Sequence, residues 1–392
     1  MTDYLFFDSA STTKCDEATL EVINKYNGEH FGNPSSSHAY GQTAALAMRE
    51  ARFFFADHFK IQPDQVIFTG SGTEANNLAL WGIASKGVFS TQKENPLRIL
   101  TSAVEHPSVK KTIESFEAFG IKSDVIGVNA FGHFDLNEAL SLLTPQTALM
   151  SVQTVNQITG AIFPVEKIAQ RIKEKSPRII FHTDAIQAFG KVQISSFPSS
   201  VDLISISGHK IGGPKGIGAL IILNRKILLS HQLRPLLWGG EQEQGLRSGT
   251  QNVGLIAGFH FSAQNFLNQK EEIAKHFTHL RNQFRELLLE SKLIDPIKTK
   301  NTVQWNSPLD GIPSIISLSV PGIPSSTLAR LLEERGCLVS VGSACGSKKP
   351  ETQSSGIRIS FTKDLQTKDI VTLVHALQDS IDRARQLMGS LR

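Results

Sequence analysis

Six short apolar runs, most ending in a cluster of polar residues and separated by stretches of helical periodicity, constrain this chain more than any other feature. Val66 to Phe68, Arg98 to Ser102, Ala148 to Thr154, Arg178 to His182, Asp202 to Ser207 and Ala219 to Leu223 read as strands. Ala75 to Ala84 reads as a helix, and Glu105-His106-Pro107 opens another. Strands alternating with helices imply an α/β fold, a mostly parallel sheet flanked by helices. Such sheets place ligands beyond the carboxyl ends of their strands. Here those ends carry Gly72 and Thr73, His106, Asn156 and Gln157, Asp184 and Gln187, and His209 and Lys210.

Beyond Gly258 the pattern changes. Phe259 to Leu289 reads as one long helix with charged faces, and Ile315 to Val320 as a strand. Ser325 to Glu334 reads as a helix stopped by Gly336, Cys337 to Val341 and Ile357 to Phe361 as strands, residues 342–356 as a loop, and Lys368 to Met388 as a closing helix. This is a smaller α+β unit. With 392 residues, 40% hydrophobic and 19% charged, the chain can bury a sizeable core. Lys and Arg exceed Asp and Glu by 40 to 36, with no basic stripe, which argues against nucleic acid as a partner. No apolar run approaches the ~20 residues of a membrane span. The first residues show no basic region before an apolar one, so a cytoplasmic location is expected. The three cysteines, Cys15, Cys337 and Cys345, form no C-x-x-C pair, which argues against a disulfide framework or a metal site.

Several patterns carry chemistry, although each alone has a commoner structural explanation. Lys210, in Ser207-Gly208-His209-Lys210 before a Gly-rich turn, is placed for its amine to be partly desolvated and nucleophilic. Most lysines are merely surface residues. Asp184 ends the apolar run Ile179-Ile180-Phe181 and needs a cationic partner if buried, unless it only caps a helix. The turn Thr69 to Asn76 opens a helix and presents unpaired backbone amides to an anion such as phosphate. Cys345, in Gly342-Ser343-Ala344-Cys345-Gly346 near Lys348 and Lys349, is an accessible thiol. Cys337 and Cys15 read as structural. Arg358 alternates with apolar residues on its strand and suits a carboxylate, or is an exposed edge-strand residue.

Taken in order, the motifs resemble the cysteine desulfurases, the NifS/IscS-like group of class V aminotransferase-like pyridoxal phosphate enzymes. The resemblance runs through Phe7 to Thr13, Phe31 to His38, Thr69 to Asn77, Glu105-His106, Asp184 to Gln187, Ser207 to Lys210, Gly213 to Gly216, Leu246 to Thr250 and Gly342 to Cys345. It implies the pyridoxal phosphate fold type I, with a seven-stranded sheet in a large domain (15–260) and a small domain built from 1–14 and 261–392. It also implies that Lys210 holds pyridoxal 5'-phosphate covalently. Asp184 would pair with the ring nitrogen, His106 would stack on the ring and assist proton transfer, and Gln187 and Gln157 would contact the cofactor. Gly72, Thr73, Ser207 and His209 would bind the phosphate, with Thr250 from the second subunit of a homodimer. Asn33 and Arg358 would hold the carboxylate of L-cysteine. Cys345 would take the sulfur as a persulfide for an acceptor protein, an iron–sulfur scaffold or a sulfur carrier, and no metal is implied.

The chain departs from the family pattern in four places. Gln157 stands where the family carries Asn, Glu241 interrupts a Gly run, Gln244 replaces an Arg, and only residues 346–357 separate Cys345 from Arg358. A selenocysteine lyase or a class V transaminase is the nearest alternative, but a transaminase needs no thiol in a Gly-Ser-Ala loop. A catalytically weak scaffold is the other, and the intact Lys210, Asp184 and His106 weigh against it.

Overall fold

The structure, a computed structural model, describes the chain except for residues 1–3, 89–95, 130–133, 195–199, 295–301, 343–355 and 390–392. Its strands are β1 (Leu5–Phe6), β2 (Val66–Thr69), β3 (Arg98–Ser102), β4 (Lys122–Ile126), β5 (Thr147–Ser151), β6 (Ile180–Asp184), β7 (Leu203–Ser207), β8 (Gly218–Ile222), β9 (Gln304–Trp305), β10 (Ile315–Ser319), β11 (Cys337–Leu338), β12 (Ser340–Val341) and β13 (Ile357–Ser360). The chain divides into two compact units, one of residues 14–155 and 163–268, the other of 1–13, 156–162 and 269–392.

The first unit is built on a seven-stranded sheet of order β2-β8-β7-β6-β5-β3-β4. β8 is antiparallel to both its neighbours, and every other pairing is parallel. The carboxyl ends of β2, β7, β6, β5 and β3 therefore share one rim. Strands β2, β6, β7 and β8 are buried at every residue, as strands covered by helices on both faces must be. The edge strand β4 is half exposed and opens with polar residues (Lys122, Ser123, Asp124), so it shows no apolar run in the sequence.

Aromatic packing fixes one part of the rim. Phe189 is fully buried, with ring centroids 6.2 Å from Phe55, 6.1 Å from Phe59 and 6.4 Å from Phe259. Burying such a ring contributes roughly 2–3 kcal/mol, and it ties the turn after β6, which carries Gln187, to the helices Ala39–Phe59 and Val253–Asn268.

The expected single helix from Phe259 to Leu289 is two helices, Val253–Asn268 and Lys270–Glu290, broken at Gln269. The second has its own apolar stripe, Ile273, Phe277, Leu280, Phe284 and Leu288, at helical spacing, with Glu271 and Glu272 in its first turn. It lies in the other unit, whose four-stranded antiparallel sheet has the order β12-β13-β10-β9. The expected strand Cys337 to Val341 is likewise two short ones: β11 pairs in parallel with β1, while β12 pairs with β13. Cys337 is buried, which pushes its thiol up to about 11 and leaves it unreactive.

Candidate active site

The rim of the seven-stranded sheet gathers the expected cofactor residues of the first unit. After β2 the helix Gly72–Val88 begins, and its first amides have no intrahelical acceptor. Gly72 is closely packed there: a Cβ would lie 2.3 Å from Ile186 Cδ1 and 3.2 Å from Ser207 Cβ, so Ile186 would have to shift. The start of this helix is thus pressed against the residues that follow β6 and end β7. Glu74 closes the turn by accepting from the Gly70 amide at 2.8 Å and pairs with Arg247 at 2.9 Å. That ion pair joins the Gly-rich turn to the loop bearing Thr250, which is itself exposed.

Ser207 is buried and donates to the Ile217 carbonyl at 3.3 Å. His209 and Lys210 follow in a single 3-10 turn, both half-buried. Gly212, at φ 79, lets the chain reverse directly behind Lys210 in a conformation a side chain would strain. Burial pushes His209 down to about 4, helped by Lys210, Lys215 and Lys191, so it is a neutral imidazole near pH 7.

Asp184 is buried at the end of β6. Its Oδ1 accepts from the Ile186 amide at 2.9 Å and its Oδ2 from the Asn76 side-chain amide at 2.8 Å. Burial pushes its carboxyl up, while those two hydrogen bonds and the nearby His106 and Lys210 all pull toward the anion. His106 caps the helix Pro107–Ser115, its Nδ1 accepting from the Ser108 amide at 3.1 Å. Burial is the main influence holding it below the usual histidine range. Asp184 raises it and Lys210 lowers it further. Asp184, His106 and Lys210 thus lie within electrostatic reach of one another at this rim. Gln187 is buried on the turn after β6, its Oε1 accepting from Lys191 Nζ at 3.3 Å. Asn33 is exposed, and its Oδ1 accepts from the Ser35 amide at 2.9 Å.

In the other unit, Arg358 sits on β13, an interior strand rather than an edge. Its guanidinium is already engaged: Nη2 donates to Asp8 Oδ1 at 2.7 Å and to Ser11 Oγ, and Nη1 to the Gln157 carbonyl at 3.1 Å. Its Nε is buried with no partner among the described residues. Gln157, half-buried, thus supports Arg358 through its backbone. Cys345 lies outside the described residues.

Glu105 was not singled out as a site residue by the sequence. It is fully buried, and its Oε1 accepts from the Gln153 amide at 2.9 Å and from Ser102 Oγ. Gln153 Nε2 in return donates to the Val104 carbonyl at 2.6 Å. This clasp binds the turn carrying His106 to the end of β5. Burial pushes the Glu105 carboxyl from an ordinary 4.5 up to about 8, with Asp184 adding to the rise. A folded-state value above the unfolded one means that the stability of the protonated form is present below about pH 4.5 and is lost as pH rises through about 8. Thermal denaturation at about pH 5 and about pH 8 is expected to show Glu105→Gln losing less stability on going alkaline than the parent. The difference is on the order of 4 kcal/mol. Equal losses would show that Glu105 does not titrate in this range.

The molecule is therefore an α/β protein with the architecture of NifS-like proteins. A solved NifS-like protein superposes with a TM-score of 0.86 at 31% identity, covering 97% of this chain and 99% of its own. The family model for aminotransferase class V matches residues 5–373, and the chain belongs to that family. A cysteine desulfurase of Trichormus azollae is 33% identical over 98% of this chain and 94% of its own length. One from Bradyrhizobium diazoefficiens is 31% identical over 97% and 95%. Among the described residues no helix is long and apolar enough to cross a membrane.

Proposed function

We propose that this chain is a cysteine desulfurase, which takes the sulfur of L-cysteine, leaves L-alanine and carries the sulfur as a persulfide on Cys345 to an acceptor protein. The observation that carries this reading is the buried Asp184 carboxyl, held by Asn76 and the Ile186 amide within electrostatic reach of His106 and Lys210 at the rim of the sheet, in a chain alike over 98% of its length to a cysteine desulfurase.

The residues fit pyridoxal 5'-phosphate. The helix that starts at Gly72 offers unpaired amides suited to a phosphate, and the buried Asp184 carboxyl, hydrogen-bonded to Asn76 and Ile186, suits a protonated ring nitrogen. Lys210 would hold the cofactor covalently, Asp184 its ring nitrogen, His106 its ring face and Gln187 its phenolic oxygen. Gly72, Thr73, Ser207 and His209 would hold the phosphate, with Thr250 contributed by a second copy of the chain. When bound, the group supplies an electron sink.

The chain's own residues do the rest. The Lys210 amine would be the base for the substrate's α-proton, and His106, held below the usual histidine range, would assist the proton transfer. The Cys345 thiolate bonds to the substrate sulfur. The Cβ–S bond breaks with its electron pair staying on carbon, and that carbon takes a proton to become the methyl of alanine. Arg358 and Asn33 would hold the substrate carboxylate.

L-Cysteine given to the cofactor-loaded enzyme with a reductant should yield alanine and sulfide in equal amounts. Alanine without sulfide, or neither product, would overturn the proposal. Arg358→Ala should raise KM for L-cysteine by about 10–100-fold, the scale of a lost charged hydrogen bond. Steady-state kinetics showing an unchanged KM would leave Arg358 only a structural partner of Asp8, Ser11 and Gln157.

A further inference from the structure

We propose that Asn76 and Ser108 form a hydrogen-bond relay that joins Asp184 to His106 and fixes His106 as the Nε2–H tautomer, making both of them positioning residues. The donor and acceptor chemistry sets the direction. The Asn76 side-chain amide nitrogen has two hydrogens and no lone pair to offer. One goes to Asp184 Oδ2 at 2.8 Å and the other to Ser108 Oγ at 2.8 Å. Ser108 Oγ is therefore an acceptor toward Asn76, and its own hydrogen is free to go to His106 Nδ1, 2.8 Å away. The Ser108 backbone amide points at the same nitrogen from 3.1 Å. Two donors converging on Nδ1 require a lone pair there, so the ring proton sits on Nε2.

A second observation supports the relay. Asn76 is fully buried in the helix Gly72–Val88, and its Oδ1 has no partner among the described residues. An orphaned buried carbonyl costs stability, yet turning the amide over would set that oxygen against the Asp184 carboxylate. The amide orientation is thus dictated by Asp184, and through Ser108 it reaches the histidine. The chain accepts an unsatisfied oxygen in return for a defined state at the two groups that flank the reaction.

The tautomer assignment stands on the hydrogen bonds alone, while its consequence for turnover rests on the cofactor reading above. The test is nitrogen NMR of the cofactor-free protein carrying 15N-labelled histidine, with the His106 signal assigned by loss in His106→Gln. The parent should show a bare Nδ1 and a protonated Nε2. Ser108→Ala removes the hydroxyl donor while the backbone amide of residue 108 still donates to Nδ1, so the tautomer should persist with the Nδ1 signal shifted by the lost hydrogen bond, and Ser108→Thr should restore the parent signal. Asn76→Asp, which places an acceptor where the amide donates, should disturb it more. In the loaded enzyme, Ser108→Ala should lower kcat for L-cysteine about tenfold with KM nearly unchanged, and Ser108→Thr should recover it.

A His106 signal identical in the parent, Ser108→Ala and Asn76→Asp would overturn the relay. A signal that moves as expected in a protein whose parent neither binds pyridoxal phosphate nor turns over cysteine would uphold the relay and refute the functional reading instead.

Discussion

Lys210→Ala is expected to abolish alanine formation from L-cysteine, a loss of at least ~10⁴-fold, and to yield a protein that purifies without yellow colour. The reasons are positional. Lys210 follows β7 within a single 3-10 turn, and the chain reverses behind it at Gly212. Its charge is felt by Asp184, His106 and His209. No other amine is placed to act on both Asp184 and His106 in the same way among the described residues. Absorbance of the purified variant and its alanine yield check the prediction together. A yellow variant with near-parental turnover would make Lys210 an ordinary loop lysine.

The second large effect is expected at Cys345. Cys345→Ser should keep the cofactor colour and lose alanine production by about 10³-fold or more. A serine hydroxyl is hardly ionised where a thiol with an ordinary pKa near ~8.5 yields a useful fraction of thiolate. The other two cysteines offer no substitute. Cys337 is buried with its thiol pushed up to about 11, and burial together with Asp16 raises that of Cys15. A variant that reacts at the parental rate would remove Cys345 from the chemistry.

Much of the large sheet was legible because its strands are buried on both faces and so read as uninterrupted apolar runs. The polar residues that end them are the site, and Lys210, Asp184, His106, Gly72 and Ser207 all fall on that rim. β4 is not legible because this half-exposed edge opens with three consecutive polar residues, Lys122, Ser123 and Asp124, and the break at Gln269 is not legible because helical periodicity continues on both sides of it. The segment from Cys337 to Val341 looked like one strand because pattern cannot show that its two halves pair with different neighbours, β1 and β13.

The supporting residues were the least legible. Asn76 interrupts an otherwise apolar helix face between Ala75 and Leu78, a signal that a buried polar group must have partners, but which partners depends on β6 and the helix after β3. Glu105 adjoins His106, yet its meaning comes from Gln153, 48 residues away. Asp8 lies in the Phe7 to Thr13 motif, but its bond to Arg358 spans 350 residues. Pairings of this kind follow from tertiary closure rather than from local sequence.

The most direct test of the central claim is mass spectrometry of the cofactor-loaded enzyme after brief exposure to L-cysteine without reductant. The peptide containing Cys345 should gain the mass of one sulfur atom, reversibly on adding a thiol, with one alanine released per sulfur gained. An unmodified Cys345 peptide alongside released alanine would contradict it.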